Sequence, residues 1–105
     1  MKNKIRYVLV ESTFDIVNES LFWRSLSREL IRCIGELNYH KVNPKLMGLI
    51  NSKNFVVRAE LKGINMLILS LALIKNIDNK EVAFYTLKTS GTLKALMKAT
   101  KQKAD

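Results

Sequence analysis

The spacing of apolar residues changes repeatedly along the chain, and each change marks an element. Ile5 to Ser12 is rich in β-branched and aromatic residues and stops at the polar group Ser12, Thr13 and Asp15, the pattern of a strand. Apolar residues occupy both of its faces, which predicts a central place in a sheet. From Ser20 to Leu37 the period lengthens. Phe22, Trp23, Leu26, Leu30, Cys33, Ile34 and Leu37 recur at steps of three and four, predicting an amphipathic helix capped by Asn18 or Ser20. Asn43 and Pro44 disfavour helix. Two short apolar runs follow, Leu46 to Ile50 and Phe55 to Leu61, and the polar turn Asn51 to Asn54 joins them as a hairpin. Gly63 opens an apolar helix that runs to Ile74. Asp78-Asn79-Lys80 predicts a turn, Val82 to Leu87 a fourth strand, and Ser90-Gly91-Thr92 the start of a last helix reaching about Lys101.

The resulting order is strand, helix, strand, strand, helix, strand, helix. It predicts an α+β domain of the split βαβ or ferredoxin-like kind, with an antiparallel sheet packed by helices and an added C-terminal helix. The RNA recognition motif shares this topology, and so do many domains with other functions. With 105 residues, a single domain spanning 1–105 is expected. No repeat or linker interrupts it.

Charge narrows the class of partner. Eighteen Lys and Arg oppose nine Asp and Glu, a formal charge of +9. That excess has the sign that condenses onto phosphate. It gathers at both ends: Lys2, Lys4 and Arg6 precede any acid, while Lys88, Lys94, Lys98, Lys101 and Lys103 follow Glu81 with only Asp105 against them. Cys33 is the only cysteine, which excludes an intramolecular disulfide and fits a cytoplasmic setting. The run Tyr7 to Val10 is too brief for a signal-peptide core, and Ile64 to Ile74 is short of the roughly 20 residues a membrane span needs. No membrane association is expected.

Arg24, Arg28 and Arg32 fall at i, i+4 and i+8, one straight stripe opposite the apolar face of the first helix. Such a stripe can be a solvated face paired through Glu29 and Glu36. Three arginines without a lysine also suit bidentate contact with RNA phosphate or with an acidic protein patch. In Lys88-Thr89-Ser90-Gly91-Thr92-Leu93-Lys94, hydroxyls and a glycine stand at a helix start, where unpaired N–H groups favour an anion. An ordinary Ser or Thr cap is the plain alternative. Beyond it Lys94, Lys98 and Lys101 form a basic edge. Tyr7, Phe55, Phe84 and Tyr85 lie on strands and could stack bases, although strand aromatics more often fill a core. The helix Ile64 to Ile74 is apolar nearly all round. One sheet can bury only one face, so Met66, Leu69 and Leu73 are expected to meet a protein partner or a second copy, with a fully wrapped core as the alternative.

Catalytic signatures are missing. His40 and Cys33 form no metal-ligand motif, the carboxylates Glu11, Asp15, Glu19, Glu29 and Glu36 show no acid-base pattern, and no glycine-rich phosphate loop occurs.

The segment Leu71-Ala72-Leu73-Ile74 with Ile77-Asp78, then Val82, Phe84, Thr86-Leu87-Lys88 and Ser90-Gly91-Thr92-Leu93, resembles the ribonuclease P protein component 2 family of archaea and its eukaryotic counterpart. The specific likeness lies in residues 71 to 94. Tyr85 stands where that family often has Arg. The resemblance implies a non-catalytic subunit of the ribonucleoprotein that removes the 5′ leader from precursor tRNA. The RNA component would carry out magnesium-dependent hydrolysis, with no cofactor on the protein. It further implies pairing with ribonuclease P protein component 3, in an assembly where two copies of each can associate, and only indirect contact with precursor tRNA. The competing reading is a ferredoxin-like protein-interaction or regulatory domain, which RNA would leave unaffected. A small metal-dependent nuclease is weaker, because it would have to cleave precursor tRNA without RNA.

Overall fold

β1 (Ile5–Ser12) lies inside a four-stranded antiparallel sheet, as a strand apolar on both faces must. The computed structural model describes residues 4–97. After β1 the chain forms α1 (Glu19–Ile34), α2 (Glu36–Val42), β2 (Lys45–Leu49), β3 (Asn54–Glu60), a 3-10 turn (Leu61–Gly63), α3 (Ile64–Leu73), a small hairpin of β4 (Asn76–Ile77) and β5 (Lys80–Glu81), and β6 (Phe84–Ser90). Residues 93–97 are again helical. The strand order β2-β3-β1-β6 with antiparallel neighbours is the ferredoxin-like arrangement that the order of elements predicts.

The two faces of the sheet carry different layers. On one, Val8, Val10, Phe55, Val57 and Phe84 meet Phe22, Leu26 and Leu30 of α1 and Leu67 and Leu71 of α3. Phe22 packs edge-on against Phe55 with ring centroids 5.0 Å apart, and Phe55 against Phe84 at 5.8 Å. Such pairs add about 0.5–1.5 kcal/mol each beyond the area they bury. On the other face, Leu9 and Val56 are covered by Leu96 of the C-terminal helix, with Tyr7, Ile50, Leu87 and Leu93 around them. The alternation along β1 thus feeds two cores, Val8 and Val10 into the larger and Leu9 into the smaller.

Several boundaries differ from those the sequence predicts. The first helix stops at Ile34 instead of Leu37, because Gly35 takes φ 85° and ψ 159° and donates its N–H to Ile31 O at 2.7 Å. Leu37, expected on the buried face, is therefore exposed, at 71%; Cys33, still within α1 and also expected there, is exposed as well. A further helix, α2, follows; its apolar pattern is weak, since only Val42 is buried. Asn43 closes it with φ 51°, donating its N–H to Tyr39 O at 2.9 Å. The strand expected over Val82 to Leu87 begins at Phe84 and runs to Ser90. Ahead of it Asp78 and Asn79, at φ 51° and 66°, make the two-residue turn of the β4–β5 hairpin. Leu61, expected at the end of β3, starts the 3-10 turn and is exposed.

Gly63 fixes α2 against the start of α3. A Cβ there would lie 2.8 Å from both Cα and Cγ2 of Val42. Gly63→Ala should accordingly cost about 1–3 kcal/mol by overpacking. A Cβ at Gly91 would meet nothing closer than 3.5 Å, so Gly91→Ala should stay within about 0.5 kcal/mol of the parent. Chemical denaturation of the two variants checks the contrast; equal, small losses would mean that α2 shifts freely away from Gly63.

Candidate nucleic-acid interface

Asn18 starts α1, its Oδ1 accepting the Leu21 N–H at 3.0 Å. From that cap the helix turns Phe22, Leu26 and Leu30 onto the sheet, so Arg24, Arg28 and Arg32 must face outward. All three are exposed. Arg32 pairs with Glu29 at 3.2 Å, and this arginine side chain is 73% exposed. An ion pair so open to solvent holds its partners loosely. Among the described residues, Arg24 and Arg28 have no carboxylate partner.

The second candidate lies at the end of β6. Strand β6 carries one extra residue relative to β1, since Val10 pairs with Thr86 and Leu9 with Lys88. This bulge reverses the facing of the residues beyond it. Lys88 comes opposite Leu9 and Ser90 opposite Tyr7, so both lie on the sheet face that the C-terminal helix covers. Ser90 closes the strand instead of opening the helix, a correction to the expected helix start. Its Oγ accepts the Thr92 N–H at 3.2 Å, and Thr92 Oγ1 accepts the Ala95 N–H at 3.2 Å. Both hydroxyls thus serve as ordinary turn and cap acceptors. Lys94 is exposed on the first helical turn, and Lys98 lies outside the described residues. Arg6 joins this group, a residue the sequence offers only as part of a basic N-terminus. A Cβ at Gly91 would lie 3.5 Å from Arg6 Nη1, which places the guanidinium beside the Ser90-Gly91-Thr92 turn.

The two basic groups occupy opposite sides of the sheet. α1 with its arginines belongs to the layer over Val8 and Val10, while Lys88, Ser90 and the C-terminal helix belong to the layer over Leu9. Base stacking on the strand aromatics is mostly closed. Phe55 is fully buried and Phe84 is 5% exposed within the larger core, and Tyr7 packs against the smaller one. Only Tyr85 is open, at 55%.

Along α3, Leu67 and Leu71 are buried, whereas Leu69 and Leu73 are each 60% exposed and Met66 lies beside them on the outer face. The stripe foreseen as surplus is therefore on the surface. No group of His, Cys, Asp and Glu among the described residues is arranged to hold a metal ion, and none of the described helices is long and apolar enough to cross a membrane.

The model of the Rpp14/Pop5 family, a family of ribonuclease P subunits, matches residues 6–101. The chain belongs to that family. Its fold agrees with a chain of yeast ribonuclease MRP solved by cryo-electron microscopy, at a TM-score of 0.71 and 15% sequence identity, over 99% of this chain and 96% of the other. No curated protein sequence matches it. The match extends beyond the likeness in residues 71 to 94 and takes in the arginine-bearing helix as well as the Ser90-Gly91-Thr92 turn.

The exposure along α3 predicts a sharp difference between neighbours. Leu69→Glu and Leu73→Glu should each change stability by no more than about 0.5 kcal/mol, as for ordinary surface positions. Leu71→Glu would bury a charge and should unfold the domain. Thermal denaturation followed by circular dichroism separates these outcomes; unfolding by Leu69→Glu would show that the outer face is core.

Proposed function

We propose that this Rpp14/Pop5 member is an RNA-binding subunit of ribonuclease P, corresponding to protein component 2, that supports the catalytic RNA in removing the 5′ leader from precursor tRNA. Family membership over residues 6–101 carries the reading, and a net charge of +9 supplies the physical means. The fold likeness to a chain of yeast ribonuclease MRP is consistent with a place in such an assembly. In this reading the protein binds no cofactor, magnesium sits on the RNA, and precursor tRNA is met through the RNA, in the cytoplasm.

Lys88, Lys94 and Arg6, around the Ser90-Gly91-Thr92 turn, would neutralise backbone phosphates without reading bases. Lys98, four residues beyond Lys94 in the sequence, is assigned the same role. Met66, Leu69 and Leu73 would seat ribonuclease P protein component 3, and pairing of two such heterodimers would give a heterotetramer. The open leucines alone also suit a protein-interaction domain that never touches RNA. Salt dependence separates the two readings.

Affinity for ribonuclease P RNA should fall steeply with salt, with a log-log slope of about minus one for each phosphate neutralised. Lys88→Ala and Lys94→Ala should each flatten that slope by about one unit. Gly91→Val should weaken binding by obstructing close approach to the turn. Leu69→Glu should abolish association with component 3 and leave RNA binding unchanged. Filter binding across moderate salt is the check. A flat dependence, or affinity unaltered in the Lys88, Gly91 and Lys94 variants, would contradict the assignment of this surface.

A further inference from the structure

A groove of about 550 Å³ opens between α1 and the segment that leads from α3 into the β4–β5 hairpin. Arg28, Arg32 and Cys33 line one wall, and Lys75, Asn76 and Asn79 the other. Chain segments more than forty residues apart therefore bring three cations to one opening. Arg24, though on the same helical stripe, does not line it.

The walls are held in place. The Ser25 hydroxyl donates to Asp78 Oδ2 at 2.7 Å, pinning the hairpin turn to α1, and buried Ile77 and Val82 anchor the hairpin in the core. Two carboxylates also line the groove, and each already has a partner: Asp78 the Ser25 hydroxyl, Glu29 the Arg32 guanidinium. Arg28 and Lys75 have no carboxylate partner among the described residues. Two cations thus lack a salt bridge, and the lining sets three cations against two carboxylates, a net positive charge, since the hydroxyl bond leaves the charge of Asp78 in place.

We propose that this groove is a second RNA-backbone site, taking a ribose-phosphate segment on the side of the sheet opposite Lys88. The inference rests on the RNA-binding reading above and adds a second surface to it. Arginine at positions 28 and 32 offers forked donors to phosphate oxygens, and Lys75 a point charge from the facing wall. Asn76 and Asn79, both exposed at the rim, supply amides that can both donate to and accept from a ribose 2′-hydroxyl. An acidic peptide could use the same cations and pair its backbone amides with Asn76 and Asn79; RNA is assigned because the groove belongs to a chain of net charge +9 in a family of ribonuclease P subunits. Because α1 and the C-terminal helix lie on opposite faces of the sheet, an RNA engaging both surfaces must pass around an edge of the domain.

Cys33 makes the test direct, since it is the only cysteine, is exposed and lines the groove. With full-length protein and ribonuclease P RNA as the probe, bound RNA should slow alkylation of Cys33. Arg28→Ala, Arg32→Ala and Lys75→Ala should each weaken binding about fivefold and flatten the salt slope by about one unit, while Lys53→Ala, in the exposed turn between β2 and β3 outside the groove, should do neither. Glu29→Gln should tighten binding, because it frees Arg32 and removes a negative charge; a merely structural groove would not give that sign. The proposal is overturned if Cys33 stays reactive in the complex, or if the three alanine variants bind like the parent. Stronger protection of Cys33 by polyglutamate than by RNA, at equal charge concentration, would also overturn it and assign the groove to an acidic protein segment. Weakening by Lys88→Ala alone would remove this groove and leave the RNA-binding reading intact, whereas no RNA binding by the parent protein removes both.

Discussion

Phe22 fixes how α1 meets the sheet, its ring 5.0 Å from that of Phe55 and 6.2 Å from that of Phe84. With Leu26 and Leu30 continuing the same face, the helix has one rotational setting that buries its apolar residues. That setting leaves Arg24, Arg28 and Arg32 in solvent, where their charges carry no desolvation cost. It also presents Ser25 to the β4–β5 hairpin, whose Asp78 accepts the hydroxyl hydrogen bond. The direction of the arginines and the presentation of Ser25 to the facing wall both follow from how this apolar face seats on the sheet.

The sheet divides the basic surface into two. A ferredoxin-like sheet commonly leaves one face open, but here the C-terminal helix covers Leu9 and Val56, so the open-face mode of RNA recognition by strand aromatics is not offered. What remains are cations at edges and helix faces, suited to phosphate and shape more than to base identity. Such a surface suits the proposed role, support for the fold of a large RNA.

Much of this was legible in the sequence because it depends on local period. The β-branched and aromatic run from Ile5 to Ser12, apolar on both faces, located the central strand, and the three-and-four spacing from Phe22 to Leu30 located α1 and the outward arginines. The outer stripe of α3 was legible for a similar reason: a helix apolar all round cannot bury both faces on one sheet. The misses have non-local causes. The bulge in β6 that turns Lys88 and Ser90 onto the covered face is visible only in the pairing with β1. Arg6 reaches Gly91 through that same pairing. Lys75 joins Arg28 and Arg32 only after α3 and the hairpin fold back against α1. α2 escaped notice because it buries little, and because Gly35 interrupts a spacing that otherwise continues to Leu37.

A protein that helps a catalytic RNA to hold its active fold, without adding catalytic groups, should lower the concentration of divalent ion the RNA needs before it changes the maximal rate. Magnesium titration of precursor tRNA cleavage by ribonuclease P RNA, with and without this protein and component 3, measures that directly. The account predicts that the protein shifts the magnesium midpoint to lower concentration and that protein without RNA cleaves nothing. Superimposable titrations with and without the protein, or cleavage by the protein alone, would contradict it.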